Sequence, residues 1–178
     1  MKTPAGVALE QDEVILVLAR EHKVILIFKL AVWGLIAILP FVFEVLINLY
    51  FPILLDEPTN IFWQVIKAVY FLNALLGLLI IVTLYYLNVH IVTNKRVLDA
   101  DQRSVIHHQT TEAHLNKIQD VSADIKGFWR QIFNYGDVHI QSAGDIERIV
   151  FESVSDPQEI RRIISDLHKQ LQPNHRNI

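Results

Sequence analysis

The sequence predicts an α+β membrane protein: a hairpin of two transmembrane helices, then a small antiparallel β domain that ends in one α-helix. Three observations predict it. Two apolar segments, at about 24–50 and 64–87, are each long enough to cross a bilayer. The residues after them form short runs of β-rich composition divided by turn residues. The last segment carries one apolar stripe at helical spacing. The expected division is a cytoplasmic N-terminal segment at 1–23, the hairpin at 24–87 and a cytoplasmic domain at 88–178.

Composition agrees. Of 178 residues, 52% are hydrophobic and 20% charged, and the mean hydropathy is +0.30. A soluble domain is usually about 45–50% apolar and about 25% charged. A disordered chain is excluded, because it needs low hydrophobicity and high net charge. The net charge of −3 points to no nucleic-acid partner. With no Cys there is no disulfide framework, thiolate metal site or Cys nucleophile.

The second apolar segment is the cleaner. Residues 68–89 hold no formal charge over 22 positions, and about 20 such residues span the hydrocarbon core. The first, Val24 to Phe51, is interrupted by Lys29, Pro40 and Glu44. Its two charges lie far enough apart to snorkel to opposite interfaces, and Pro40 should kink the helix. A cleavable signal peptide fits poorly, because the run starts late and is too long for such a segment. The turn falls at Asp56–Asn60. Antiparallel helices folded there bring Glu44 opposite Lys67, as an intramembrane pair or as two separately snorkelled charges. Asn48, Asn73 and Gly77 are read as marking a helix contact, within the hairpin or between copies, with Asn73 able to bond across it. Arg20, Lys23 and Lys29 flank one helix, and Lys95, Arg96 and Arg103 the other. The connecting turn is acidic, so both termini are expected in the cytoplasm of a cell-membrane protein. Residues 10–22 are either an interfacial helix or a strand of the β domain.

Within the domain, VHIVT and RVLDA flank a turn at Asn94-Lys95. SVIHHQ, EAHL and IQDVSADI follow, then a short helical stretch, GFWRQIF. DVHIQSA and IERIVFESV are joined through Gly144-Asp145. The final helix opens with Asp156 as cap, Pro157 at its first position and Glu159 completing a capping box. Ile160, Ile163, Ile164, Leu167 and Leu171 form its apolar stripe, expected to plug an open, bent sheet.

Several stretches resemble one family. They are YLNVHIVTNKRV from Tyr86 to Val97, HLNKIQDV from His114 to Val121 and NYGDVHI from Asn134 to Ile140, together with Ser142–Gly144 and DPQEI at Asp156–Ile160. As an ordered set they are similar to the bacterial pleckstrin-homology (PH) domain membrane protein family, in its YdbS-like branch. The resemblance covers residues 86–170. It implies a PH-like antiparallel β-barrel or sandwich capped by the C-terminal helix, tethered by two helices. It implies no catalytic residues and no cofactor.

No phosphate-cradling loop, dinucleotide fingerprint, zinc-protease or serine-hydrolase motif is present, so no enzyme is expected. His90, His107, His108, His114 and His139 are read as solvated or locally bonded rather than as metal ligands. Lys95, Arg96 and Arg103 are candidates for lipid-headgroup contact. For Phe128, Trp129, Phe133 and Tyr135 the expected role is core packing with Trp129 half-buried. The alternative is a partner-contact edge of Phe128, Trp129 and Arg130. The expected function is a membrane-anchored, non-enzymatic interaction or scaffold module. Its partners would be the bilayer, a second copy or another membrane protein. The alternative is a small accessory subunit of a transporter or membrane enzyme.

Overall fold

A computed structural model describes residues 9–55, 59–101, 109–143 and 148–171. The chain forms two compact units, one from the described residues of Met1–Ile25 and Leu84–Ile178, the other from those of Leu26–Thr83.

The helical unit is built from α1 (Lys23–Tyr50) and α2 (Thr59–Leu87). Helix α1 runs through Pro40. Helix α2 starts at Thr59 rather than near Gln64. The polar first turn is itself helical, with Gln64 Nε2 donating to Asn60 Oδ1 at 3.3 Å. Thr59 and Asn60 therefore leave the expected turn, whose other residues, 56–58, lie outside those described. Lys67 Nζ lies 2.7 Å from both Glu44 oxygens. Trp33 Nε1 donates to the Ala74 carbonyl at 2.7 Å, and the Tyr70 hydroxyl to that of Ile36 at 2.5 Å. A Cβ on Gly77 would stand 2.1 Å from the Trp33 ring, so the absent side chain admits the indole. Asn73 does not bond across the helices. Its amide donates to Val69 O one turn back, at 2.8 Å. Asn48 is exposed.

The other unit has two antiparallel sheets. The first contains β1 (Ile15–Ala19), β2 (Val89–Thr93), β3 (Arg96–Asp101) and β4 (Gln109–His114), in that order. The second contains β5 (Ile118–Asp124), β6 (Tyr135–Ser142) and β7 (Ile149–Ser155). The N-terminal segment is thus a strand, with Val17 opposite Val92 and Leu18 opposite Ile91. Backbone pairing settles what a five-residue apolar run leaves open. Residues 102–108 lie outside the described set, including most of the expected SVIHHQ strand with His107 and His108. So does the Gly144-Asp145 turn.

Among the described residues the strands do not close into a barrel. The sheets share one core instead. Val92, Val97 and Ala113 of the first pack with Val121, Val138, Ile140, Phe151 and Val154 of the second. Helix α4 (Pro157–Leu171) adds Ile160 and Ile164 to that core, and Leu167 packs against it. Leu171 stays exposed, so the working stripe stops one turn early. Strand β2 is buried at every position. A second cluster of Val89, Ile91 and Leu98, with Ile15 against it, explains why its pattern is continuous rather than alternating.

The expected capping box does not form. Asp156 adopts φ 48°. Its N–H donates to Asn134 O at 3.0 Å, and its carboxylate accepts from the Asn134 side chain. The Glu159 carboxylate is taken by Arg162 at 2.9 Å. The start of α4 is therefore bound to the loop before β6.

Candidate interaction site

The first cluster surrounds the turn between β2 and β3. Arg96 is buried, although its sequence position beside Lys95 suggests an exposed hairpin tip. Its Nε donates to Glu13 Oε1 at 3.0 Å and its Nη2 to Glu13 Oε2 at 3.0 Å, a two-pronged pair. Its Nη1 reaches Glu112 at 2.7 Å. The Thr93 hydroxyl lies 2.8 Å from Glu13 Oε1 and accepts the Arg96 N–H at 3.0 Å. Asn94 accepts from Val14 N at 2.9 Å and donates to Asp12 O at 3.0 Å. Lys95 Nζ donates to Gln11 O at 2.6 Å. The T-N-K-R turn is thus a clasp for residues 11–14. Arg96, a candidate headgroup contact in the sequence, is engaged by carboxylates. Lys95 is largely spent on the same segment, and Arg103 lies outside the described residues.

Electrostatics make this clasp stable. Burial pushes the Glu13 carboxyl up. Hydrogen bonds from Arg96, the Glu10 N–H and Thr93, together with the Arg96 charge, outweigh it and hold the group at about 2, below its ordinary 4.5. The hydrogen bond with Glu13, helped by the charges of Glu13, Glu112 and Glu10, pushes the Arg96 guanidinium up against the opposing effect of burial.

The second cluster follows α3 (Phe128–Ile132). Each residue of N-Y-G-D has a separate task. Asn134, at φ 49°, turns the chain out of the helix. Tyr135 is buried, with its ring stacked on His22 at 5.2 Å. A Cβ on Gly136 would meet the Asp124 carbonyl at 2.4 Å, so the backbones pass closely only because none is there. Asp137 accepts from Arg130 Nη1 at 2.7 Å and from the Ser153 N–H at 2.8 Å. Ser153 sits at φ 50° in β7, and its carbonyl accepts the His22 N–H at 2.8 Å.

This arrangement leaves α3 outside the core. Phe128 is 69% exposed and Trp129 63%, with Ile132 and Phe133 also exposed. The expected core packing holds for Tyr135 alone. The other aromatics pack on one another, with Trp129 and Phe133 stacked at 6.2 Å. Arg130 is fixed by Asp137 and lies 5.9 Å from the Tyr135 ring centre, so it positions α3.

The sequence model for the bacterial PH domain family matches residues 15–168, from β1 through both apolar helices into α4. The chain belongs to the bacterial PH domain family. No curated protein matches the chain. One solved structure is similar at 16% identity: a DUF1696 family protein with a pleckstrin-homology domain from Shewanella loihica PV-4. The match covers 46% of this chain and 70% of that one, with a TM-score of 0.37.

In this bacterial PH domain, His90 and His139 do not converge on one point. His90 is buried, with Nδ1 2.7 Å from Asp99 and its ring stacked on Phe151 at 4.6 Å. His139 Nδ1 is buried without a hydrogen-bond partner among the described residues. Sequence reasoning missed Glu13, His22 and Asp137. Each acts on a segment distant in the chain. Only the family-like runs V-T-N-K-R and N-Y-G-D signalled where their partners lie.

The Glu13 pairing gives a signed pH dependence. A carboxyl held below its unfolded value contributes stability that is complete above about pH 4.5 and lost as pH falls through about 2. Chemical unfolding of the full chain followed from pH 6 to pH 2 should lose about 3 kcal/mol from this group. Glu13→Gln should remove most of that slope and lower stability at pH 6 by about 3–5 kcal/mol.

Proposed function

We propose that this protein is a membrane-anchored, non-enzymatic interaction module, of the YdbS-like kind within its family. In this reading α1 and α2 span the cell membrane as a hairpin and hold the PH-like domain at the cytoplasmic face. One observation carries it. Both helices are apolar over a bilayer's thickness and lie almost wholly exposed, with Pro40 and Tyr85 their buried residues. An apolar surface of that extent needs cover, and a bilayer supplies it. The helices also lead directly into neighbouring strands. Only Arg20–His22 separate β1 from α1, and only Asn88 separates α2 from β2. The basic flanks and acidic turn give the orientation.

The contact surface in this reading is α3, directed at a second protein of the same membrane. Exposed aromatics beside an arginine are the composition of a protein hot spot. Tethering raises the local concentration of such a partner, so weak contacts suffice. The accessory-subunit alternative has less support, because Glu44 and Lys67 already neutralise each other.

The chain lacks cysteine, so single cysteines report topology directly. Thr59→Cys should react with a membrane-impermeant maleimide in intact cells, and Lys126→Cys only after lysis. Reaction of Lys126→Cys in intact cells would overturn the orientation. Recovery of the chain in the soluble fraction would overturn the anchoring. Extraction into polymer nanodiscs without detergent should retain a second protein in fixed ratio. Phe128→Ser with Trp129→Ser should lose it while thermal unfolding stays within about 2 °C, because these are surface positions. Retention of the partner by that variant would remove α3 from the proposal.

A further inference from the structure

A cavity of about 390 Å³ lies in the β unit, beside the end of β1 and the last turn of α2. Its walls include Leu18, Arg20, Lys23, Tyr85, Tyr86 and Ser155. Three charged side chains line it: Arg20 and Lys23, with Glu21 as the single carboxylate.

Arg20 differs from the cations of the two clusters described above. Lys95, Arg96 and Arg130 are each held by a carboxylate. Among the described residues the Arg20 guanidinium has only an aromatic contact, 5.7 Å from the Tyr86 ring centre. Its Nε is buried and has no hydrogen-bond partner. That N–H is closed off, so an anion entering the cavity would meet the part of the guanidinium that lines it. The planar guanidinium fork matches two oxygens of a phosphate, and a neighbouring ammonium adds a point charge. The tyrosine rings give the same cavity an apolar wall.

We propose that this cavity binds a phosphate group through Arg20 and Lys23. A phospholipid headgroup and a free phosphate share that chemistry. The position of Lys23 in the first turn of α1, and of Tyr85 and Tyr86 in the last turn of α2, favours the headgroup. That preference rests on reading the two helices as membrane-spanning. The site is distinct from the first hairpin, where Arg96 is engaged by Glu13 and Glu112.

The test uses the full chain in maltoside micelles, titrated with dihexanoyl phosphatidylglycerol and separately with inorganic phosphate. Native mass spectrometry and the unfolding temperature are the readouts. The lipid should bind saturably with a ratio near one and raise the unfolding temperature. Arg20→Gln should weaken it about tenfold or more. Lys23→Gln, an exposed position that leaves the core untouched, should weaken it about threefold. Inorganic phosphate should bind more weakly than the lipid. If it binds equally well, the site stands and its ligand is a soluble phosphate. Equal lipid binding by wild type and Lys23→Gln, with Arg20→Gln either equal or unfolded, would overturn the proposal. So would no saturable binding of either probe. Cysteine labelling reads membrane insertion separately, so failure of the cavity and failure of the anchoring give different results.

Discussion

The buried pair between Glu13 and Arg96 is the constraint on which the rest of the β unit depends. It fastens the segment before β1 to the turn between β2 and β3, and so sets the first strand against the second. Burying two charges is expensive, and the pair is favourable only because its geometry is complete. Both Glu13 oxygens accept from Arg96, the Thr93 hydroxyl adds to one, and the Glu10 N–H adds to the other at 2.7 Å. Removing either partner would strand the other in a dry site. The consequence extends beyond local stability. Strand β1 continues into α1, and α2 continues into β2. One ion pair therefore fixes the register of the two strands through which both apolar helices enter the domain.

A second constraint works at the other end of the unit. Asp137 joins α3 to β7 through Arg130 and Ser153, and Ser153 in turn holds His22. The short helix is rigidly positioned while its apolar side chains remain exposed. A fold that fixes a helix by its polar residue and leaves its aromatics uncovered is suited to contact with something else. A helix whose backbone is already held in place has less to order when a partner arrives.

Much of the fold was legible because its signals are local. Segment length and the absence of charge define α2, alternation over Val138–Ser142 defines β6, and the spacing of Ile160, Ile164 and Leu167 defines the buried face of α4. The facing of Glu44 and Lys67 followed from the turn's position, since antiparallel helices fix a constant sum of residue numbers. What was illegible depends on distant partners. Nothing within residues 10–22 says that Glu13 will meet Arg96, so a strand and a helix remained equal readings. The aromatics of α3 look like core residues in the sequence. The tie from Arg130 to Asp137, which holds that helix outside the core, is not visible in the sequence. The capping box failed for a similar reason: Asn134, 22 positions away, takes the groups of Asp156 that the box would have used.

The most direct test is amide hydrogen exchange on the full chain in lipid nanodiscs, comparing β1 with β2. Slow exchange of the β1 amides, with both strands losing protection in one cooperative event, is the expected result. Exchange of β1 within seconds while β2 stays protected would contradict it. That outcome would show that the N-terminal strand is not held by Arg96 and that only one helix is joined to the folded sheet.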